Sequence, residues 1–496
     1  MNESRREFLK KSGCALSMVT VATQMQHLGM MSALAQKVDD SKSVPEGGGN
    51  YKALVLVYWA GGNDGNNVVI PNHNDASVSN YAAYAAARQT QGLALAQNTL
   101  LPISVPSVGG LSYGLHPALG PVTGGLNNGI HELWGQNKFA IVTNCGTLVR
   151  PMTKAQYQNN SVPKPLQLFS HSDQVNQSQT SISNSVAFTG WGGRIADRMT
   201  LGSNPNGIVP MVTSIAGAQI FTAAQTALPL AIAQANNTGV PNLASVLNPV
   251  GFNTTAASVA RRNAFNQLRT VDLDSNYIAA ASNVTDLAMQ ANDALQTSQE
   301  VTVDFPNNSM GLQFKQVARL IKKRLDLNIN RQIFYVQIGS FDTHSGQLVQ
   351  HTNLLSQFSQ AVRAFYDEMV VQGVSNDVTT FTLSDFNRTF NPASSGALVG
   401  SDHAWGNHMM VIGGSVAGSN FYGVNTGNGT PFPTLLNGGP DDTSTGTGSR
   451  GRWIPTTSVE QYAATLARWY GLPENQLPEV FPNIGNFTSS NLGFLV

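Results

Sequence analysis

The sequence contains almost no cysteine. It has 2 cysteines among 496 residues, Cys14 and Cys145. Cys14 lies in an N-terminal segment that we predict to be removed, and the residues before it lack the apolar-then-small pattern that precedes a lipidated cysteine. The mature chain therefore keeps one cysteine and forms no internal disulfide, so its stability must come from a buried core.

Charged residues are also scarce. They make up 11% of the chain, against roughly 25% in typical soluble domains. Basic and acidic residues number 28 each, which gives a formal net charge of zero. Such a chain has no electrostatic attraction to nucleic acid or to anionic lipid, so we expect neither as a partner. Asn, Gln, Ser, Thr and Gly take the place of charge at the surface, as suits an exported protein.

The chain lacks a long apolar run as well. No segment after the N-terminal region approaches the roughly 18 apolar residues of a membrane-spanning helix, so we expect no transmembrane segment. At the N-terminus, Arg5 and Arg6 in SRREFLKK match the twin-arginine consensus, and a weakly apolar run and Ala33-Leu34-Ala35 follow. This order predicts an export signal that is cleaved before Gln36.

These features predict where the protein resides and where its fold begins. The twin-arginine translocase would be its partner during export, and the mature protein would be periplasmic or extracellular. Residues 1–35 would be the signal peptide, residues 36–50 a flexible Gly-rich lead-in, and residues 51–496 one folded domain.

Short apolar runs that end in polar or Gly-rich turns predict strands buried on both faces of a parallel sheet. The four runs are KALVLVYWAGG, KFAIVTNCG, RQIFYVQIGS and DVTTFTLSDF. We expect them to end at Asp64, Asn144, Gly339 and Asp385. Helical periodicity separates them, in PALGPVTGGLNNGIHELWGQ, GLQFKQVARLIKKRLDL and HTNLLSQFSQAVRAFYDEMVVQG. A last helix in TSVEQYAATLARWYGL would have Thr457 or Ser458 as its N-cap.

Alternation of strands and helices predicts the fold class. We expect an α/β domain with a mainly parallel sheet sandwiched by helices. Residues 200–300, rich in Ala, Asn and Gln over their second half, would add a helical insertion. Residues 423–450, rich in Gly, Thr and Pro, would form a long loop.

Acidic residues and histidines collect after the predicted strands, where open α/β sheets bind their ligands. They are Asp64, Asp342, His344, Asp385, Asp402, His403 and His408. Carboxylates with neutral imidazoles suit one or two divalent ions such as zinc, manganese or calcium. Each residue alone is equally a common turn former. A metal site, a satisfied polar cluster and unrelated loops all remain open.

Nucleophile and anion-binding candidates are fewer. Ser170, His171 and Asp173 lie within the contiguous run Ser-His-Ser-Asp of LFSHSDQ, which cannot fold onto itself with triad geometry, so we interpret them as a polar loop near the site. Thr153 lies near a predicted helix start, where its hydroxyl would be either a nucleophile or an N-cap. Arg150 and Arg388 flank these turns and would either clamp an anionic group or pair with local carboxylates.

Several motifs together resemble the bacterial family of domain of unknown function fifteen-oh-one, typically exported by twin-arginine signals. The resemblance covers nearly the whole mature chain. The motifs are LVLVYWAGGNDGNNVVIP, LHPAL, FSHSDQ, GSFDTHSGQ, LSDFNRT, SDHAWGNHMMVIGG and GRWIPTTSVEQYAATLARWYGL.

That family is similar in turn to the alkaline phosphatase and sulfatase superfamily, α/β proteins with one or two metals beside a Ser, Thr or modified Cys nucleophile. The resemblance implies metal-binding roles for Asp64, for Asp342 with His344, for Asp385 or the Asp402–His403 pair, and for His408. The sequence departs from the superfamily in three ways: Phe386 follows Asp385 where a histidine is usual, the Asp342–His344 gap is short, and no nucleophile stands out.

The resemblance implies a metal-dependent hydrolase of phosphate or sulfate esters, acting on a small molecule or a glycan. The alternative is a non-catalytic envelope or surface protein that uses the same scaffold to bind a glycan or a partner. The missing nucleophile and the charge-poor surface favour that alternative.

Overall fold

The structure is a computed structural model. It describes residues 51–204, 207–235, 255–271, 273–295 and 300–496. The predicted signal peptide (1–35), the lead-in (36–50) and residues 236–254 of the predicted insertion lie outside the described residues, so those predictions stay predictions.

Two β-sheets organise the domain. Their strands are β1 (Lys52–Trp59), β2 (Val69–Pro71), β3 (Leu101–Val105), β4 (Leu111–Leu115), β5 (Phe139–Gly146), β6 (Val212–Ser214), β7 (Leu230–Ala231), β8 (Arg331–Ile338), β9 (Val378–Ser384), β10 (Asn407–Gly413), β11 (Phe421–Tyr422) and β12 (Thr457–Ser458). The nine-stranded main sheet has the order β11-β5-β10-β9-β1-β8-β6-β7, with β12 beside β5, and a three-stranded sheet has the order β2-β4-β3.

The main sheet is mixed and mainly parallel. β1 pairs in parallel with β8 and β9, while β10 runs antiparallel to β9 and β5. The four strands predicted from the apolar runs (β1, β5, β8 and β9) therefore run in one direction and end at one edge of the sheet. Trp59 pairs there with Ile338 and with Ser384. We call this the carboxyl edge.

Helices cover both faces of the main sheet. In the described residues they are α1 (Tyr81–Arg88), α2 (His131–Gly135), α3 (Lys154–Asn159), α4 (His171–Thr180), α5 (Trp191–Ser203), α6 (Ala256–Leu268), α7 (Asn276–Ala294), α8 (Ser309–Lys322), α9 (Gln347–Val371), α10 (Val459–Tyr470) and α11 (Leu477–Val480). None of them combines the length and the apolar character needed to cross a membrane.

Burial on both faces explains the unbroken apolar run of β1. Val55 and Val57 belong to the core that contains Phe358 of α9, whereas Leu54 and Leu56 belong to a second core with residues of α5 and α10. Successive side chains of a strand point to opposite faces, so a strand between two helical layers needs apolar residues at every position. The predicted α/β sandwich is confirmed.

Capping chemistry sets the ends of two predicted helices. Ser458 is the N-cap of α10, and it forms a capping box with Gln461. This confirms one of the two predicted caps. α9 begins at Gln347, four residues before the predicted segment, and Gly373 with a φ of 70° follows its end.

The structure corrects three details of the prediction. Residues 117–136 form a 3-10 turn, a loop and the short α2, since Gly124 and Gly129 have positive φ values of 74° and 72° that end helical periodicity. The first part of the predicted insertion adds β6 and β7 to the main sheet, and its second part forms α6 and α7. Strand β10, which follows His403, was not predicted. Residues 423–450 form the expected loop, with a 3-10 turn at Gly446–Gly448.

Candidate metal centre

Three imidazole nitrogens meet one carboxylate at the carboxyl edge. Asp342 Oδ1 lies 3.4 Å from His171 Nε2, 3.0 Å from His344 Nε2 and 3.7 Å from His403 Nε2. His403 Nε2 lies 3.1 Å from His171 Nε2 and 3.0 Å from His344 Nε2. We call these four side chains the His/Asp cluster.

Three segments bring the cluster together. Asp342 and His344 lie in the turn after β8, where Phe341 and Thr343 are buried and the two polar side chains between and after them are exposed. This alternation is the one-sided arrangement that the i, i+2 spacing predicts for an extended segment. His403 precedes β10, and His171 is the first residue of α4.

Each imidazole of the cluster is held by an oxygen on its other nitrogen. His171 Nδ1 lies 2.8 Å from Asp385 Oδ2, His344 Nδ1 lies 3.3 Å from Asp402 Oδ1, and His403 Nδ1 lies 2.8 Å from the Phe169 carbonyl oxygen. Carboxylate and carbonyl oxygens are acceptors, so they place the ring proton on Nδ1. The Nε2 atoms of His171 and His344 therefore face His403 Nε2, and Arg388 Nη1 lies 3.4 Å from His344 Nε2.

Nitrogen and oxygen atoms this close to one another need a proton or a metal cation between them. Five of the six distances among the four atoms are 3.0–3.7 Å, and the ligand atoms of His171, Asp342 and His403 all lie within 4.8 Å of one another. Ligand atoms around a tetrahedral zinc ion, at about 2.0–2.1 Å from the metal, are separated by about 3.3–3.4 Å. Histidines that donate their Nδ1–H to an oxygen and offer Nε2 are also the usual form of metal-binding imidazoles. His171, Asp342 and His403 thus fit a divalent metal ion in donor type and spacing, and His344 lies beside them.

The chain matches the model of a family described as "Protein of unknown function (DUF1501)" over residues 140–431. It belongs to this family. The matched range contains the whole His/Asp cluster, together with Asp385 and Asp402 that orient it. No curated protein matches the sequence.

Three solved structures show a similar general arrangement. The structure of Ps i-CgsB in complex with k-i-k-neocarrahexaose is 8% identical in sequence, and the alignment covers 88% of this chain and 77% of that chain with a TM-score of 0.31. The PsFucS1 sulfatase from Pseudoalteromonas sp. has 8% identity, 80% and 67% coverage and a TM-score of 0.25. The lipoteichoic acid synthase LtaP from Listeria monocytogenes has 9% identity, 86% and 81% coverage and a TM-score of 0.26.

The surroundings of the cluster shift the pKa values of His171 and His403 in opposite directions. The hydrogen bond to Asp385 raises the pKa of His171, whereas burial, with the positive charges of His171 and Arg388, lowers the pKa of His403. Burial thus favours the neutral form of His403, which is the form that can act as a ligand. Burial opposes ionisation of Asp342, yet Arg388 and His171 hold the pKa of its carboxyl below the ordinary value.

In this DUF1501 protein Arg388 pairs with a local carboxylate, which is one of the two roles that its sequence position left open, and does not form an anion clamp. Its buried guanidinium donates to Asp342 Oδ1. Its other side-chain hydrogen bonds go to the backbone carbonyls of Gly61, Gly62, Phe341 and Ser401 and, at 3.4 Å, to His344 Nε2. These bonds tie the turns after β1 and β8 together and occupy the donors that a bound anion would need.

The structure also corrects two predicted metal ligands. Asp64 is buried in an ion pair with Arg88 (2.7 Å) and accepts hydrogen bonds from Asn66 and Gln347, so both of its oxygens already have donors. His408 is stacked on Phe432, with ring centroids 5.0 Å apart, and burial lowers its pKa to about 3. It is a neutral histidine of the core.

Two further candidates lie outside the cluster. Thr153 is the N-cap of α3 and forms a capping box with Gln156, which is the alternative that its sequence position left open. Arg150 is exposed, and its side chain forms no hydrogen bond or ion pair with any residue that the structure describes. Neither residue contacts the His/Asp cluster.

His171 is the cluster residue that sequence reasoning missed. It occurs in LFSHSDQ, which we interpreted as a polar loop near the site after excluding a triad. Backbone strain marks the same place, since Phe169 adopts a φ of 78° and Ser340, two residues before Asp342, a φ of 72°. Left-handed φ values are rare for bulky residues and collect at functional sites. Here the strain points the Phe169 carbonyl at His403.

Proposed function

We propose that this protein binds one divalent metal ion through His171, Asp342, His344 and His403 and hydrolyses phosphate or sulfate esters outside the cytoplasm. The observation that carries the proposal is the convergence of three Nε2 atoms on Asp342 Oδ1, with an oxygen behind each imidazole. This arrangement brings imidazole and carboxylate donor atoms together, and those of His171, Asp342 and His403 all lie within 4.8 Å of one another, close enough for one ion.

The donor set selects among metals. Imidazole nitrogens suit zinc and its transition-metal neighbours, while calcium takes oxygen ligands almost exclusively. Three imidazoles with one carboxylate therefore favour zinc, with manganese as the weaker fit, and do not suit calcium. A single ion is proposed, because Asp64 and His408, which a second site would need, lie elsewhere.

The open side of the cluster is where a substrate would bind. The side chains of Asp342 and His344 are 48% and 47% exposed, whereas His171 and His403 are partly covered by Phe386, whose ring centroid lies 4.7 Å from each of theirs. A bound ion would supply Lewis-acid chemistry there, polarising the ester and activating water.

The protein's own residues hold the four cluster side chains in place, and none of them is proposed as the nucleophile. Asp385, Asp402 and the Phe169 carbonyl hold the three rings, and Arg388 holds Asp342. In the described residues no hydroxyl or thiol side chain hydrogen-bonds to any of the four cluster side chains. We therefore propose that water, and not Thr153, attacks phosphorus or sulfur, and that the alcohol leaves with a proton from that water.

The same observation favours the second candidate function, in which the centre binds an anionic glycan or partner without turnover. Two measurements on the natively exported full chain test both functions. The first is metal content by mass spectrometry for the wild type, His171→Ala and His403→Ala, with His131→Ala as the matched control outside the cluster. The second is turnover of 4-nitrophenyl phosphate and 4-nitrophenyl sulfate.

We expect about one equivalent of metal in the wild type and in His131→Ala, and loss of metal in the two cluster variants. Metal-free wild-type protein would overturn the metal centre. Metal-loaded protein that hydrolyses neither ester would refute hydrolysis of simple esters and support the binding function. Thermal unfolding of each variant distinguishes loss of a ligand from loss of the fold.

A further inference from the structure

An uncompensated guanidinium lies beside the His/Asp cluster. Arg452 Nε donates to the His403 carbonyl oxygen at 2.8 Å, and its guanidinium carbon lies 4.7 Å from the centre of the Phe169 ring. Its two terminal nitrogens have no acceptor, and no carboxylate lies within ion-pair distance of it, among the residues that the structure describes. Both of its contacts are with residues that form or orient the cluster.

Two more cations lie in the same region. Arg450 Nη2 lies 2.7 Å from Asp402 Oδ2, so its charge is balanced, yet its buried Nε has no hydrogen-bond partner. Lys164 Nζ lies 3.9 Å from the centre of the Tyr157 ring. The positive charge of Arg452 acts on the hydroxyl of that same tyrosine, where it opposes the rise in pKa that burial causes.

The loop that carries Arg450 and Arg452 is held rigidly. The buried Asp442 carboxylate accepts hydrogen bonds from four backbone N–H groups, those of Gly438, Ser444, Gly451 and Arg452. The Lys154 ammonium donates to three backbone carbonyls, those of Gly438, Gly439 and Ser444, each at 2.7 Å. These bonds place the guanidinium groups before any ligand arrives, which lowers the entropy cost of binding.

We propose that Arg452, assisted by Arg450, forms an anion-binding subsite next to the metal centre and takes an oxyanion, phosphate or sulfate, of the bound molecule. A guanidinium offers paired N–H donors in a plane that matches such groups, and stacking on Phe169 fixes that plane. This assignment replaces Arg150 and Arg388. The role of this subsite in ester hydrolysis rests on the proposed function, whereas its binding of an anion does not.

Calorimetric titration of the zinc-loaded, exported protein with inorganic phosphate and, separately, with inorganic sulfate tests the subsite. Arg452→Gln should weaken binding of the preferred anion about 10-fold, because a charge-assisted pair of hydrogen bonds is lost. Arg150→Gln removes the same charge from an exposed arginine that has no hydrogen bond or ion pair with the described residues, and this variant should bind the anion like the wild type. Arg452→Lys keeps the positive charge but lacks the paired N–H donors, so its anion affinity should lie between those of Arg452→Gln and the wild type.

A second variant tests the subsite with Arg452 in place. Lys154→Met removes the ammonium that holds the loop and should also weaken anion binding, with zinc content unchanged. Equal affinities in Arg452→Gln and the wild type, equal losses in Arg452→Gln and Arg150→Gln, or no binding of either anion by the wild type would each overturn the proposal. Comparison of the two anions shows which oxyanion the subsite takes.

Ester turnover separates this inference from the proposed function. Anion binding that depends on Arg452, in protein that hydrolyses no ester, supports the subsite and refutes hydrolysis. Hydrolysis with the same KM in Arg452→Gln and the wild type refutes the subsite and leaves the reaction standing.

Discussion

Replacement of Asp385 by asparagine is the sharpest perturbation of the centre. Asp385 Oδ2 lies 2.8 Å from His171 Nδ1, and its Oδ1 accepts a hydrogen bond from Gly61 N at 3.1 Å. Both oxygens therefore act as acceptors in opposite directions. An asparagine has one oxygen and one NH₂ group, so it cannot satisfy both partners.

Either orientation of the amide removes one of the two bonds. If the amide oxygen keeps Gly61 N–H, the NH₂ group faces His171 Nδ1 and favours the tautomer whose proton is on Nε2, which cannot bind metal. If the oxygen faces His171, two N–H donors oppose each other at Gly61. The backbone bond is fixed by the turn after β1, so we expect the first orientation.

Loss of such an orienting partner typically weakens metal binding about 10–100-fold, which is about 1.4–2.7 kcal/mol. Competition for zinc against a chromophoric chelator measures this change, and ¹⁵N NMR of the His171 ring reports its tautomer. Asp402→Asn should cost less, because Asp402 is 3.3 Å from His344 and 36% exposed. Asp367→Asn, in α9 and paired with Arg363, is the control. Wild-type zinc affinity in Asp385→Asn would refute the orienting role.

Three further predictions concern stability. Burial lowers the pKa of His116, His351 and His408 to about 3. In the unfolded chain these histidines become protonated near pH 6.5, whereas in the folded chain they stay neutral down to about pH 3. The free energy of unfolding should therefore fall as the pH drops from 6.5 toward 3, by up to about 1.4 kcal/mol per pH unit for each histidine. Urea unfolding across this range measures the slope, and a flat profile would contradict it. Asp64→Asn should destabilise the fold by about 3–5 kcal/mol, because Arg88 is left buried and unpaired, while zinc stoichiometry stays unchanged; loss of zinc would restore Asp64 as a ligand. Thr153→Ala should cost about 1 kcal/mol in thermal unfolding through loss of the α3 cap, and a loss of turnover beyond that would return Thr153 to the reaction.

Patterns within one short segment of sequence predicted the strands and the residue pair whose arrangement depends on that segment alone. An apolar run of eight residues before a Gly-rich turn has few other stable arrangements, and β1, β5, β8 and β9 formed where such runs occur. The pair Asp342 and His344 was predictable for the same reason, since the i, i+2 rule acts within one extended segment. Strand β10 was missed because Asn407 and His408 resemble a polar loop, although both residues are buried and Asn407 pairs with Cys145 of β5.

Partners distant in sequence decided which polar residues joined the His/Asp cluster. Asp64 stands after a strand of the carboxyl edge, as Asp342 does, but Arg88 of α1 and Gln347 of α9 lie against it and satisfy its oxygens. His171 belongs to a helix start and not to a strand end, so the rule that favours strand ends passed over it. Neither outcome is visible in the local sequence, because each depends on a contact between segments that only the folded chain brings together.

The same reasoning separates the arginines of the site. Arg388 follows β9 and reaches turns whose backbone has few other donors; Gly61 and Gly62 have positive φ values of 112° and 81°, and their carbonyls point at its guanidinium. A buried carbonyl without a donor is costly, so this arginine is held by the fold and its charge is shared with Asp342. Arg452 faces an aromatic ring and one carbonyl, which leaves its terminal donors without partners in the described chain. A cation placed there at the edge of a metal centre gains most from a ligand that brings its own negative charge.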